Sequence, residues 1–229
     1  MLFANRTDAG RQLAERLKNY AGRADVIVLA APRGGVPVAF EVATRLGVPL
    51  DIFVMRKLGV PGHEELAFGA IASGGVRILN RETIEVLGLT GLDIERVTKK
   101  ETVELERREK AYRAGRPPLD VNGLIVILVD DGIATGSSVR AAIHALRQRN
   151  PAVLVVATPV APRATCNRLR AEVDELVCLE TPEPFYGVGQ FYDDFSEVSD
   201  EEVTELLDRA WSRAQTTSAQ APAPRGQRQ

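Results

Sequence analysis

Two adjacent carboxylates and the turn after them are the part of the sequence best suited to chemistry. Asp130 and Asp131 come directly after an apolar run at residues 125–129. The turn that follows contains glycine, small and hydroxyl residues, namely Gly132, Ile133, Ala134, Thr135, Gly136, Ser137 and Ser138. A buried strand that turns into a helix at this point presents backbone amides to an anion. We therefore expect the turn to bind a phosphate group.

The two carboxylates require a different ligand group, because they repel any phosphate that touches them. Carboxylate oxygens accept hydrogen bonds from hydroxyl groups and bind divalent cations. A sugar diol, with or without Mg²⁺, fits between the acids and the phosphate turn. An acidic pair alone is also typical of a solvated strand end or a receiver-like acidic pocket. The hydroxyl-rich sequence at residues 135–138 favours a sugar phosphate.

A second glycine turn, formed by Arg33, Gly34 and Gly35, follows an apolar run at residues 26–31. Glycine lets the backbone approach a ligand closely, and arginine adds a permanent positive charge. By itself the sequence is equally compatible with an ordinary turn. Neither turn contains Gly-x-Gly-x-x-Gly or a P-loop lysine, which argues against a dinucleotide or nucleoside triphosphate site.

The elements around both turns predict an α/β fold, with a central, mostly parallel sheet flanked by helices. A strand, a turn, a helix and a further strand occur in this order twice, which makes two βαβ units. The predicted strands are residues 26–31, 51–55, 124–129, 153–158 and 175–179, and the predicted helices are 8–20, 38–46, 93–114, 137–148, 163–171 and 200–211. Ligands bind such sheets at the carboxyl ends of the strands, where both turns lie.

The remaining segments predict a lid, a hairpin, a hood and a tail. Residues 57–65 lack periodicity and predict a loop that could close over a ligand, whereas residues 67–79 predict a hairpin. Residues 1–211 form one predicted domain, with a small hood within residues 180–200. Residues 212–229, rich in Ala, Gln, Pro and Arg, predict a disordered tail.

Charge and hydropathy argue against a protein that binds nucleic acid or membranes. The chain has 29 basic and 31 acidic residues, so it has no general attraction for nucleic acid or for membrane surfaces. No apolar stretch approaches the roughly 20 residues that span a bilayer. We therefore expect a soluble, cytoplasmic protein in which any anion binding is local.

Residues 126–138 resemble the ribose phosphate signature of the type I phosphoribosyltransferases, in which a hydrophobic strand and two acids precede a Thr-Gly-x-Ser/Thr loop. The resemblance covers residues 1 to about 211. It implies that Asp130 and Asp131 hold the ribose hydroxyls of phosphoribosyl pyrophosphate (PRPP), while the following loop holds the 5-phosphate. Gly132 departs from the family, which usually has an aliphatic residue there.

The same resemblance assigns the other ligand groups. It places pyrophosphate at Arg33, Gly34 and Gly35, with Arg56 and Lys57 as further basic contacts, and it identifies residues 58–65 as a short version of the family's lid. A hood at residues 183–195 would hold the acceptor. Aromatic rings that could stack on a planar base there are Phe185, Tyr186 and Phe191. Packing of these rings into the core is the equal alternative.

The implied reaction displaces pyrophosphate from ribose C1 by a nitrogenous acceptor, as in nucleobase salvage and other nucleotide metabolism. Mg²⁺ would be held mainly by the ligand, with Asp130 and Asp131 as candidate protein ligands. The family often forms dimers, so the resemblance also suggests a homodimer. Two alternatives stay open: a non-catalytic regulatory module of the same fold that senses a phosphoribosyl ligand, and a phosphatase or receiver-like protein that uses Asp130 as phosphate acceptor.

Overall fold

The structure is a computed structural model that describes residues 2–118 and 120–219. The strands are β1 (Val26–Ala30), β2 (Leu50–Ile52), β3 (Met55–Val60), β4 (His63–Ala72), β5 (Val76–Leu79), β6 (Ile125–Val129), β7 (Val153–Val160) and β8 (Glu175–Glu180). The helices are α1 (Arg6–Arg16), α2 (Gly35–Leu46), α3 (Arg81–Val86), α4 (Gly91–Arg113), α5 (Ser137–Arg147), α6 (Arg163–Leu169) and α7 (Asp200–Ala219). Within the described ranges, none of these helices combines the length and apolar composition needed to cross a bilayer.

The central sheet has the strand order β2-β1-β6-β7-β8, and all its strands are parallel. β1 and β6 are buried along their whole length, as their continuous apolar sequences predict. Alternate residues of β1 point to opposite faces. Val26 and Val28 pack in one cluster with α1, α2 and α7, whereas Ile27 and Leu29 pack in another with α5 and α6. Helices thus cover both faces, and the predicted fold class is confirmed.

A second, antiparallel sheet of β3, β4 and β5 corrects one prediction. Residues 57–65 do not form a loop, because most of them belong to β3 and β4 and pair across a tight turn. The pairing register shifts on both sides of Gly59. Such a bulge lets a strand form without the strict apolar alternation by which strands are predicted. The predicted hairpin is confirmed as the β4–β5 pair.

Two helices also differ from the prediction. α3 is a short helix that the sequence pattern did not indicate, and Asn80 caps it by accepting a hydrogen bond from the Thr83 amide. α7 continues to Ala219, so residues 212–219 of the predicted tail are helical. Trp211 anchors this helix to the sheet, since its indole nitrogen donates to the Leu50 carbonyl oxygen at 3.0 Å. Residues 220–229 lie outside the described part of the chain.

Candidate active site

The two predicted turns lie side by side because β1 and β6 are neighbouring parallel strands. The Ala31 amide donates to the Val129 carbonyl oxygen at 2.9 Å, where both chains leave the sheet. Gly34 then passes so close to Asp131 that a Cβ atom on it would lie 2.1 Å from carboxylate oxygen Oδ2. Gly34 has a φ of −56°, an ordinary helical value that any residue can adopt. Glycine is therefore needed here for the close approach and not for the backbone conformation. The candidate pyrophosphate turn therefore contacts the candidate ribose acid.

Asp130 and Asp131 form an acidic pair that is largely removed from water. Asp131 is 9% exposed, and its amide donates to Oδ1 of Asp130 at 2.9 Å. Burial raises the pKa of Asp130 well above its usual range, and the neighbouring Asp131 charge raises it further. Burial also raises the pKa of Asp131, although the Arg6 guanidinium opposes that shift. A desolvated pair of like charges destabilises the fold, which is typical of residues retained for binding or catalysis.

Arg6, at the start of α1, contacts the acidic pair, and sequence reasoning missed it. Its Nε atom lies 2.7 Å from Oδ2 of Asp131, although 125 positions separate the two residues. The guanidinium also lies 3.8 Å from the centroid of the Phe195 ring, and Nη1 donates to the Ser196 carbonyl oxygen at 2.7 Å. No motif marks Arg6, so only the folded chain reveals its position.

The predicted phosphate turn has the geometry of an open helix start. Gly136 adopts a left-handed conformation (φ +80°) directly before α5, and the first turn of that helix contains no acidic residue. The hydroxyl oxygens of Thr135 and Ser137 lie 3.2 Å apart, and both side chains are exposed. Thr165 of α6 donates to the Ala134 carbonyl oxygen at 2.8 Å. The amides and hydroxyls can therefore receive an anion while α6 holds the turn in place.

Gly132, the departure from the family signature, lies beneath the hood. A Cβ atom at Gly132 would meet Val188 Cγ1 at 2.2 Å and Cγ2 at 2.7 Å. Val188 begins a 3-10 turn, Val188–Phe191, that covers the loop. An aliphatic residue at position 132 has no room under this hood, so the glycine and the valine form a matched pair.

Gly132→Ala should displace the hood and lower the melting temperature by several degrees, since overpacking a fitted contact costs roughly 1–3 kcal/mol. Val188→Ala removes both Cγ atoms, so the double variant should recover most of the loss in a thermal-unfolding cycle. Gly187→Ala is the matched control, because a Cβ atom there meets nothing within 4 Å. Equal losses in the single Gly132 variant and the double variant would exclude this contact as the cause.

Arg33 and Arg56, which the resemblance assigns to pyrophosphate, both contact acidic side chains. Arg33 donates through Nη2 to Glu197, and its Nη1 lies 3.7 Å from a carboxylate oxygen of Asp200. Arg56 donates through Nε to Glu101 at 2.8 Å. Each arginine therefore already holds a carboxylate and has only its remaining N–H donors to offer pyrophosphate.

One cleft of about 190 Å³ brings several of the predicted groups together. Its walls come from Ala31 and Pro32 after β1, from Asp130 after β6, and from β3, β4 and α5; they include Arg56, Lys57 and Ser138. The Pro32–Arg33 peptide bond in this wall is cis. A wider groove of about 600 Å³ shares Lys57 and Ser138 with the cleft and extends along α5. A ligand in the cleft therefore meets a carboxylate together with cationic and hydroxyl groups.

The hood aromatics divide into packed rings and one exposed ring. Phe191 and Tyr192 are buried in a small core that the hood shares with α1, and Phe185 packs on Phe191 with 5.1 Å between ring centroids. Tyr192 also donates its hydroxyl proton to the Asp131 carbonyl oxygen at 2.5 Å. Tyr186 is 86% exposed. Phe191 thus contributes to packing, while Tyr186 is the stacking candidate that presents an open ring.

Comparison with known proteins points to the family that the motif resembles. The family model of the phosphoribosyl transferase domain matches residues 2–196, a range that includes both glycine turns and the hood. A Mycobacterium tuberculosis protein, provisionally named a phosphoribosyl transferase, is 46% identical over 209 residues, which make up 91% of this chain and 47% of that protein. The chain thus spans about half the length of the curated relatives it matches.

A solved structure extends the likeness to the whole domain. TT1426 from Thermus thermophilus is 42% identical and superposes with a TM-score of 0.78, covering 90% of this chain and 98% of TT1426. The matched family model, the relatives and this solved structure agree on the same domain family. This chain therefore belongs to the phosphoribosyl transferase domain family.

Proposed function

We propose that this chain transfers a phosphoribosyl group from PRPP to a nitrogenous acceptor and releases pyrophosphate. The observation that carries the proposal is the cleft in which Asp130 shares a wall with the start of α5, with Arg56 and Lys57, and with Ala31 and Pro32 after β1. PRPP has a phosphate at one end, a diol in the middle and a pyrophosphate at C1. It therefore requires anion-binding groups on two sides of a hydrogen-bond acceptor, and the cleft supplies both kinds of group.

In this proposal the start of α5 binds the 5-phosphate. The amides of residues 134–138 are close to the positive end of the helix, and no acid in the first helical turn opposes an anion there. The hydroxyls of Thr135 and Ser137 add donors that can rotate toward phosphate oxygens. The 5-phosphate thus fixes the position of the sugar relative to the acidic pair.

The acidic pair binds the ribose hydroxyls and stabilises the reacting sugar. Carboxylates accept hydrogen bonds from hydroxyl groups, and such bonds are stronger where water is excluded. As pyrophosphate leaves, ribose C1 gains oxocarbenium character, and a nearby carboxylate stabilises this cation more than the neutral ground state. The sugar adds hydrogen bonds and positive charge beyond those that Arg6 already supplies to Asp131.

The proposed chemistry is a single displacement at C1. The bond from C1 to the pyrophosphate oxygen breaks, pyrophosphate keeps the bonding electrons, and a nitrogen lone pair of the acceptor forms the new C1–N bond. Where the attacking nitrogen carries a proton, that proton is released to solvent. This reaction needs no covalent intermediate with the protein. The residues of the site contribute by binding, orienting and stabilising charge.

PRPP as the donor implies magnesium as the cofactor. The acidic pair fits an ion whose ligands come partly from PRPP and partly from the protein. The described residues contain no group of three or more His, Cys, Asp or Glu side chains that could hold a metal. Asp130 and Asp131 offer the oxygen ligands that Mg²⁺ prefers, but Arg6 already holds Oδ2 of Asp131. We therefore propose that the donor supplies most of the ligands. When bound, Mg²⁺ offsets charge on the leaving pyrophosphate.

Arg33→Ala should weaken pyrophosphate binding more than ribose 5-phosphate binding. A lost charge-assisted hydrogen bond of roughly 1.5–3 kcal/mol predicts a pyrophosphate Kd at least about tenfold weaker, with little change for ribose 5-phosphate. Glu197→Gln should have the opposite effect, because it removes the charge of an exposed carboxylate that pairs with Arg33. The Kd for pyrophosphate should fall by a factor of about two to five. Calorimetric titration measures both, and equal losses for the two ligands in Arg33→Ala would assign the turn a structural role only.

The hood provides the acceptor surface in this proposal. Tyr186 presents an exposed ring, on which a planar base can stack. Phe185 and Phe191 pack against each other and define the shape of the hood. A planar nitrogenous base is therefore the acceptor class that we propose, in keeping with nucleobase salvage.

Ligand sensing without turnover is a second candidate function, and one observation favours it. Arg33 and Arg56, the two arginines assigned to pyrophosphate, are both neutralised by acidic side chains. A module that binds ribose phosphate firmly and pyrophosphate weakly has no need to catalyse transfer. PRPP binding without pyrophosphate release under any acceptor would favour this alternative.

Asp131→Asn tests the assignment of the ribose acid. Asparagine keeps the shape of the side chain but loses its charge, so PRPP affinity should fall roughly 10–100-fold in calorimetric titration. The melting temperature should change little, because loss of the Arg6 ion pair and relief of repulsion with Asp130 oppose each other. Asp208→Asn, which removes an exposed ion pair with Arg116, is the control. A wild-type titration from Asp131→Asn would refute the assignment.

A further inference from the structure

Arg6 lies where α1, the hood and the acidic pair meet. The backbone of Arg6 is fixed because Asn5 caps α1, accepting a hydrogen bond from the Asp8 amide at 2.9 Å. The guanidinium is then held by the Phe195 ring, by the Ser196 carbonyl oxygen and by Oδ2 of Asp131. Two separate parts of the chain thereby hold one planar cation.

A guanidinium held in this way also determines the orientation of the carboxylate that it contacts. Its donors point in fixed directions, so Oδ2 of Asp131 cannot rotate away without losing its hydrogen bond. The side chains of Arg6 and Asp131 are 11% and 13% exposed, which leaves little water to replace that bond. Gly34 lies against the same oxygen, and Tyr192 holds the main-chain carbonyl oxygen of Asp131. The carboxylate therefore has few alternative positions, and Arg6 selects among them.

We propose that Arg6 is a positioning residue for sugar recognition: by engaging Oδ2, it directs Oδ1 of Asp131 toward a ribose hydroxyl. The inference rests on the function proposed above, in which Asp131 binds the ribose. Arg6 acts through Asp131 and does not itself contact the sugar. Its effect is therefore selective, because it governs recognition of the hydroxyl groups and leaves phosphate binding at α5 unchanged. An ion pair with a purely structural role has no such selectivity.

The selectivity can be measured with ligands that differ by one hydroxyl group. Calorimetric titrations compare ribose 5-phosphate, its 2-deoxy and 3-deoxy analogues, and inorganic phosphate. Wild-type protein should prefer ribose 5-phosphate over one of the deoxy analogues by roughly tenfold, as expected for one hydrogen bond to a charged group. Arg6→Gln should reduce this preference to less than about twofold while phosphate affinity stays unchanged. Arg6→Lys should restore part of the preference, since lysine keeps the charge but not the fixed fork.

Arg11→Gln is the matched control, because Arg11 lies on the same helix and pairs with Glu41 at 3.3 Å from an exposed position. This variant should retain the wild-type preference. The inference is overturned if Arg6→Gln distinguishes the hydroxyl analogues as wild-type protein does, or if it loses affinity for all four ligands equally. Should Arg6→Gln fail to fold, Arg6→Lys decides: a reduced preference supports the inference, and an unchanged preference overturns it.

Failure of the proposed function gives a different result. Wild-type protein that does not bind ribose 5-phosphate would overturn the proposed function and, with it, the role of Arg6. Wild-type protein that binds ribose 5-phosphate, combined with an unchanged hydroxyl preference in both Arg6 variants, would overturn the role of Arg6 alone.

Discussion

Asp130→Asn should raise the melting temperature at pH 7 while it weakens PRPP binding strongly. Burial raises the pKa of Asp130, because its ionised form lacks water and lies beside Asp131. Asparagine keeps the size of the side chain and removes this penalty, and each 1 kcal/mol gained raises the melting temperature of a protein of this size by roughly 2–4 °C. PRPP loses a charged hydrogen-bond acceptor, so its Kd should weaken roughly 10–100-fold.

The stability gain should depend on pH with a defined sign. A carboxyl whose folded-state pKa is raised contributes stability below its unfolded pKa, about 3.9, and this contribution is lost as pH rises through the folded pKa. The melting temperatures of Asp130→Asn and wild-type protein should therefore converge near pH 4. They should separate at higher pH, because only wild-type protein then carries the destabilising charge of Asp130. Thermal unfolding of both proteins between pH 4 and pH 7 measures the difference in melting temperature.

Asp174→Asn is the control of opposite sign. The hydrogen bond from Arg147 lowers the pKa of Asp174, so this carboxylate stabilises the fold at neutral pH and its contribution disappears as the solution becomes acidic. The Asp174 variant should melt below wild-type protein at pH 7. An Asp130 variant that also melts below wild-type protein at pH 7 would contradict the desolvated state of Asp130.

Gly34→Ala should weaken PRPP binding as much as the substitution of Asp130 or Asp131 does, although it deletes no functional group. The new Cβ atom would lie 2.1 Å from Oδ2 and 2.7 Å from Cγ of Asp131. Because Arg6 holds Oδ2, either the carboxylate or the whole turn must shift. A displacement of about 1 Å in such a site can cost roughly 100-fold, and we expect a loss of that order in the PRPP Kd.

Gly91→Ala is the matched control for this substitution. Gly91 is the first residue of α4, as Gly34 directly precedes α2, but a Cβ atom at Gly91 meets nothing within 4 Å. Its titration with PRPP should match that of wild-type protein. If Gly34→Ala also binds PRPP as wild-type protein does, the close approach between the turn and Asp131 has no role in donor binding.

The acidic pair and the phosphate turn could be predicted because their geometry is local. Residues 126–138 form a strand, a loop and a helix start in direct succession, so the sequence alone determines which groups lie together. Arg6 and Tyr192 reach Asp131 from 125 and 61 positions away. Contacts at that separation depend on how α1 and the hood pack, and no spacing in the sequence encodes them.

The hood shows the same limit on a finer scale. An aromatic cluster at residues 183–195 is visible in the sequence, but burial decides which ring can meet a ligand. Phe191 is buried and Tyr186 is exposed, and this difference arises from the packing of the hood on α1. Likewise, the sequence shows that Gly132 is unusual for the family. Only the fold shows that Val188 leaves no room for a larger residue at this position.

The most direct test of phosphoribosyl transfer is pyrophosphate release from PRPP in the presence of Mg²⁺ and single purine, pyrimidine or nicotinate-like acceptors. We predict that wild-type protein releases pyrophosphate with at least one acceptor, in an amount equal to the C1–N product, and that Asp131→Asn loses this activity. Wild-type protein that binds PRPP but releases no pyrophosphate with any acceptor would contradict the transfer reaction.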